Sequence, residues 1–177
     1  MKLYYDCEFI EDGRTIDLLS IGMVAGDGRE YYAVVRDDAL ISRAYEHPWL
    51  RENVVPSLPV ALAGIGAFWH WDDFHPDHLH VRNREIIAKE VRGFILAAPD
   101  PQLWAWYGAY DHVALCQLWG RMIDLPKGVP MWTNDLKQEC ARLGDPRVPE
   151  QGPGEHNALA DARHNRDIAE FLAARTG

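Results

Sequence analysis

The stretch Lys2 to Phe9, Lys-Leu-Tyr-Tyr-Asp-Cys-Glu-Phe, constrains the rest of the chain more than any other. Leu3, Tyr4 and Tyr5 suit a buried strand, and the run passes without a turn into Asp6 and Glu8. Side chains two residues apart on a strand share a face, so Asp6 and Glu8 project together from the end of a core strand. Two carboxylates so placed repel, and without a counter-charge one of them tends to stay protonated. A divalent cation removes the conflict, and carboxylate oxygens suit Mg²⁺ or Mn²⁺. Taken alone, the pattern also fits two solvated carboxylates on a strand that has left the core.

A chain of 177 residues, 47% hydrophobic and 25% charged, is expected to form one domain, residues 1–177, with a full-sized core. The net charge of −9, from 18 Lys+Arg against 27 Asp+Glu, argues against a binder of polyanions working by bulk charge. It leaves open a nucleic-acid enzyme whose acidic site is neutralised by metal ions. Cys7, Cys116 and Cys140 fit no zinc spacing and read as free thiols. With no secretory-signal pattern in the opening residues, the expected location is cytoplasmic.

Three strand patterns follow one another closely: the first run, then about Thr15 to Val24, then Glu30 to Val35. The turns Glu11-Asp12-Gly13-Arg14 and Gly26-Asp27-Gly28 make them an antiparallel meander. Ser20, in the middle strand, is placed to sit beside Asp6 and Glu8. Residues 37–62 are less regular, with a short helix within Tyr45 to Val55 stopped by Pro56 and Pro59. Leu58 to Phe68 is rich in small residues, Gly64 and Gly66 among them. The run Trp69 to His80, with His70, His75, His78 and His80 among aspartates and aromatics, matches no structural zinc motif and reads as a surface loop or partner-contacting flap.

Asn83 to Ala98 predicts an amphipathic helix, with Ile86, Ile87, Glu90, Val91, Phe94 and Ile95 at the spacing of a buried stripe. Gln102 to Tyr107 predicts a strand beside the meander, and the following helix opens with Asp111 in its first turn. Open α/β sheets bind ligands just beyond such strand ends. Trp132 to Leu143 predicts a helix capped by Thr133 or Asn134. A Pro/Gly-rich loop then leads to a final helix from Glu155, with His156 at its start and Asp161 within it. The expected class is α/β, a mixed sheet flanked by helices.

Asp6-x-Glu8, then Asp111, then His156 with four residues before Asp161, resembles the DEDDh group of 3′-to-5′ exonucleases. The local words carry the resemblance too: Tyr5-Asp6-Cys7-Glu8-Phe9, Ala109-Tyr110-Asp111 and His156-Asn157-Ala158-Leu159-Ala160-Asp161-Ala162. A closer resemblance, over Tyr5 to Val34, Leu103 to Gly120 and His156 to Arg163, is to the ribonuclease AS type of polyadenylate-specific 3′-exoribonuclease. It fades between about Asp37 and Lys89.

The resemblance implies a ribonuclease H-like fold, two Mg²⁺ or Mn²⁺ ions held by Asp6, Glu8, Asp111 and Asp161, and His156 as general base. It also implies adenylate-rich single-stranded RNA as substrate, AMP as product and a homodimer. Two cations about 3.5–4 Å apart suit phosphodiester hydrolysis because they neutralise the phosphate while activating water and leaving group. Histidine suits proton transfer near neutral pH. Glu8, or the backbone around Glu8 and Phe9, is placed to read the 2′-hydroxyl, and Phe9, Trp106, Tyr107 and Tyr110 to stack on bases. A DNA or short-oligonucleotide 3′-exonuclease and a non-catalytic nucleic-acid-binding module are the competing readings.

Overall fold

A computed structural model describes residues 1–63 and 68–175. Gly64 and Gly66 of the small-residue stretch lie outside the described residues. Strands β1 (Lys2–Glu11), β2 (Ile16–Ala25) and β3 (Glu30–Val35) form the antiparallel meander. Asp12 shapes the first turn by accepting the backbone N–H groups of Arg14 at 2.9 Å and Thr15 at 2.7 Å, an Asx turn of the expected kind.

Helices α1 (Asp38–Glu46) and α2 (Pro48–Asn53) follow. Strands β4 (Val60–Ala63) and β5 (Phe68–Trp71) pair as a separate two-stranded sheet. Then come β6 (Val81–Arg82), α3 (Arg84–Leu96), β7 (Gln102–Ala105), α4 (Ala109–Cys116), β8 (Asn134–Asp135), α5 (Leu136–Arg142) and α6 (Ala158–Ala173). The main sheet has the order β6–β3–β2–β1–β7–β8, with β6, β7 and β8 joining in parallel.

Alternation along β1 divides its side chains between two cores. Leu3, Tyr5 and Cys7 enter a large cluster with Ile21, Met23, Ile87, Val91 and Leu115. Tyr4 enters a smaller one with Leu136, Cys140, Ile168 and Leu172 of α5 and α6. Each fully buried Leu or Ile contributes roughly 1.5–3 kcal/mol relative to exposure. Asp6 and Glu8 continue the Tyr4 face, so they point toward α6.

Several expectations are corrected. The short helix expected within Tyr45 to Val55 is α2 (Pro48–Asn53), but α1 before it was not expected: it is amphipathic, buries Leu40, Ile41 and Ala44, and is capped by Asp37, which accepts Leu40 N–H. The predicted helix Trp132 to Leu143 starts only at Leu136, because Asn134 and Asp135 pair with Trp104 and Ala105 of β7. Its cap is accordingly Asp135, which accepts Lys137 N–H, and not Thr133 or Asn134. On α3, Ile86 is exposed and Ala88 replaces it on the buried stripe. The segment Trp69 to His80 is not all loop, since Trp69 to Trp71 belong to β5, and the indole N–H groups of Trp69 and Trp71 donate to Ser42 Oγ at 3.0 Å and Asp38 Oδ1 at 2.9 Å. Among the described residues its histidines enter no group of three metal-ligand side chains.

Candidate active site

The site forms where β1 outruns its parallel neighbour. β7 pairs with β1 only as far as Tyr4, and an edge amide beyond that point needs another partner. Asp111 supplies it: its Oδ1 accepts the Cys7 N–H at 2.8 Å. The first turn of α4 is thereby tied between Asp6 and Glu8, and Asp111 is buried.

On the other side of β1, α6 approaches the sheet at Gly22, the cross-strand partner of Asp6. A Cβ on Gly22 would stand 2.2 Å from the Ala158 carbonyl oxygen and 2.3 Å from Leu159 N. Only glycine permits that approach. Asn157 caps α6 by accepting Ala160 N–H at 3.2 Å, and buried Asn165 donates to the Tyr5 carbonyl at 3.0 Å. These contacts fix the helix rotation that brings Asp161 to β1. Ligand atoms of Glu8, His156 and Asp161 lie within 4.8 Å of one another.

The carboxyls press on one another. Burial, then the charges of Asp111, Glu8 and Asp161, hold Asp6 well above the ordinary carboxylate range. Burial and the adjacent Asp161 push Glu8 up to about 8. Burial pushes Asp111 up to about 7, against the lowering effect of the Cys7 N–H. Asp161 is raised by burial, moderated by hydrogen bonding from Gln151 Nε2. Among the described residues none of the four pairs with a Lys or Arg. Crowded hard oxygen donors without a protein counter-charge fit Mg²⁺ or Mn²⁺.

Asp6, Trp106, Gln151, His156, Asp161 and His164 line a cleft of about 360 Å³. His156 stands just before the helix cap with φ 67°, a left-handed conformation that costs a non-glycine residue about 1–2 kcal/mol. The expected base platforms divide into two groups. Trp106 lines the cleft itself. Phe9 stacks on Tyr110 with centroids 6.2 Å apart, and Tyr107 and Tyr110 are exposed. Ser20 is the cross-strand neighbour of Glu8, as expected, but it is fully buried and faces the Tyr32 hydroxyl rather than the cleft. Gly22, Gln151, Trp49 and Ser57 were missed. A glycine within the apolar run of β2 was the one available signal; the other three meet the site only through tertiary contact.

The sheet order, the flanking helices and the acidic cluster formed where β1 runs on past its parallel neighbour β7 define a ribonuclease H-like α/β fold. The fold is similar to that of Schizosaccharomyces pombe Pop2p in its Mg²⁺- and Mn²⁺-bound form, with a TM-score of 0.50, 14% identity, and 99% of this chain and 82% of that one covered. No protein-family profile matches the chain. The 3′-5′ exoribonucleases Rv2179c and MT2234.1 of two Mycobacterium tuberculosis strains are each 43% identical over 165 residues, covering 92% of this chain and 88% of theirs. The chain belongs to the family of these 3′-5′ exoribonucleases.

Proposed function

We propose that this chain is a divalent-metal-dependent 3′-to-5′ exoribonuclease that hydrolyses the terminal phosphodiester of single-stranded RNA and releases nucleoside 5′-monophosphates. The observation that carries this reading is that Asp6, His156 and Asp161 line one cleft, that ligand atoms of Glu8 lie within 4.8 Å of those of His156 and Asp161, and that the Asp111 charge acts on Asp6. Two Mg²⁺ or Mn²⁺ ions held there would supply charge neutralisation at the phosphate and make water a stronger acid. By the resemblance, Asp6 would be the ligand shared between the ions, with Glu8, Asp111 and Asp161 completing the set.

His156 accepts the proton from the attacking water, a role suited to an imidazole near neutral pH. Trp106, Phe9, Tyr107 and Tyr110 offer stacking surfaces to the 3′-terminal bases. Glu8 or the neighbouring backbone takes the 2′-hydroxyl, which separates RNA from DNA. Adenylate preference, AMP as the main product, a homodimer and a cytoplasmic location complete the proposal; the first three follow from the ribonuclease AS resemblance. With Trp69 and Trp71 tied to α1, the exposed Phe74 and Phe68 are the aromatics of this segment left for a subunit contact.

The test is digestion of 5′-labelled oligo-A, oligo-U, oligo-C and oligo-dA with Mg²⁺ and with EDTA. Stepwise 3′ shortening of oligo-A, fastest with Mg²⁺ and abolished by EDTA and by Asp6→Ala, is expected. Equal rates on oligo-A and oligo-dA would move the substrate to DNA or short oligonucleotides. Hydrolysis untouched by Asp6→Ala would overturn the catalytic assignment.

A further inference from the structure

We propose that α2 and the turn after it form a clamp that orients the His156 ring, with Trp49 as the positioning residue; this rests on the role given to His156 above. His156 lies outside the turns of its own helix, which offers it the Asp161 carboxylate. It precedes the cap of α6, at the end of the Pro/Gly-rich loop, in the left-handed region. A residue held in such a conformation needs outside contacts to keep it there.

Those contacts come from α2. The Trp49 ring meets the His156 ring edge-on, with centroids 5.1 Å apart and an interplanar angle of 77°. Ser57 Oγ donates to the His156 carbonyl and also lies 2.8 Å from the Val54 carbonyl. One short segment thus touches both the ring and the backbone of the histidine. The segment is itself anchored. Pro48 opens the helix, His47 Nδ1 accepts Leu50 N–H, and Leu50, Val54 and Val55 are buried.

Core packing does not account for Trp49, which is 51% exposed. A large aromatic left half in solvent, in a T-shaped contact with a functional side chain, acts on that side chain's orientation. An edge-to-face ring pair favours a restricted set of angles, so the indole limits the rotation of the imidazole.

The experiment uses the full chain as Trp49→Ala, Trp49→Phe, His156→Ala and the double variant Trp49→Ala/His156→Ala. The expected result is that Trp49→Ala lowers kcat about tenfold with KM little changed, that Trp49→Phe restores most of it, and that Trp49→Ala adds nothing in the His156→Ala background. The imidazole C–H resonances of His156 shift in Trp49→Ala and move less in Trp49→Phe. Additive losses, or a raised KM at unchanged kcat, would overturn the clamp in favour of a separate substrate contact. Unmoved His156 resonances in Trp49→Ala sink the clamp alone. Full kcat in His156→Ala sinks the proton-acceptor role, while the resonances still report on the clamp.

Discussion

Replacing Gly22 by alanine tests how closely the site depends on packing far from it in sequence. The new methyl carbon would sit 2.2 Å from the Ala158 carbonyl oxygen, whereas a close carbon–oxygen contact needs about 3.3 Å. The atoms it meets are backbone, the Ala158 carbonyl and Leu159 N, so no side chain can swing aside. Relief requires α6 and β2 to separate by about 1 Å at the first turn of the helix. Asp161 lies in that turn and His156 just before it. Overpacking of this size costs about 1–3 kcal/mol, and a misplacement near 1 Å at a reacting centre costs about 10²-fold in rate. Gly22→Ala is therefore expected to melt at lower temperature and to lose about two orders of magnitude in kcat while remaining folded. Thermal unfolding by circular dichroism, with oligo-A hydrolysis well below the melting temperature, measures both. A Gly22→Ala protein with wild-type rate and stability would refute the claim that helix approach at this glycine sets the carboxylate spacing.

The metal-free protein should lose stability as pH rises. Glu8 is raised from 4.5 to about 8 and Asp111 from 3.8 to about 7. Both groups bind protons more tightly folded than unfolded, so their contribution is complete below the unfolded values and disappears as pH climbs through 7 and 8. Each pH unit crossed costs up to about 1.4 kcal/mol per group; denaturant titrations in EDTA should show this decline, and saturating Mn²⁺ should flatten it. Asp161→Asn removes the charge acting most strongly on Glu8, so the Glu8 carboxyl should titrate at lower pH by NMR. An unchanged Glu8 titration would mean that the two carboxyls do not face each other. His156→Ala should lower kcat about 10²–10⁴-fold in single-turnover assays while lowering Mn²⁺ affinity by no more than the roughly 10–100-fold of a second-sphere change.

Much of this architecture was legible in order along the chain. Apolar alternation and Asp-Gly turns give the meander directly, because both signals are local. The carboxylates could be grouped because their strand-end and helix-start settings are also local features, and the resemblance supplied their partnership. Contacts between distant segments were not legible. Nothing local to Trp49 or Ser57 shows that His156 will lie against them, and nothing near Gln151 shows that its amide will reach Asp161. Helix α1 was missed although Asp37 and the buried Leu40, Ile41 and Ala44 carry the cap and the stripe; its charged surroundings masked them. Helix α5 was begun too early because pairing of Asn134 and Asp135 with β7 overrides the local helix pattern.

Anomalous diffraction from crystals soaked in Mn²⁺ tests the carboxylate cage most directly. The predicted result is density between Asp6, Glu8, Asp111 and Asp161, with oxygens about 2.0–2.2 Å from each ion and the signal lost in Asp6→Ala. Manganese bound elsewhere, with these four side chains left without an ion, would contradict it.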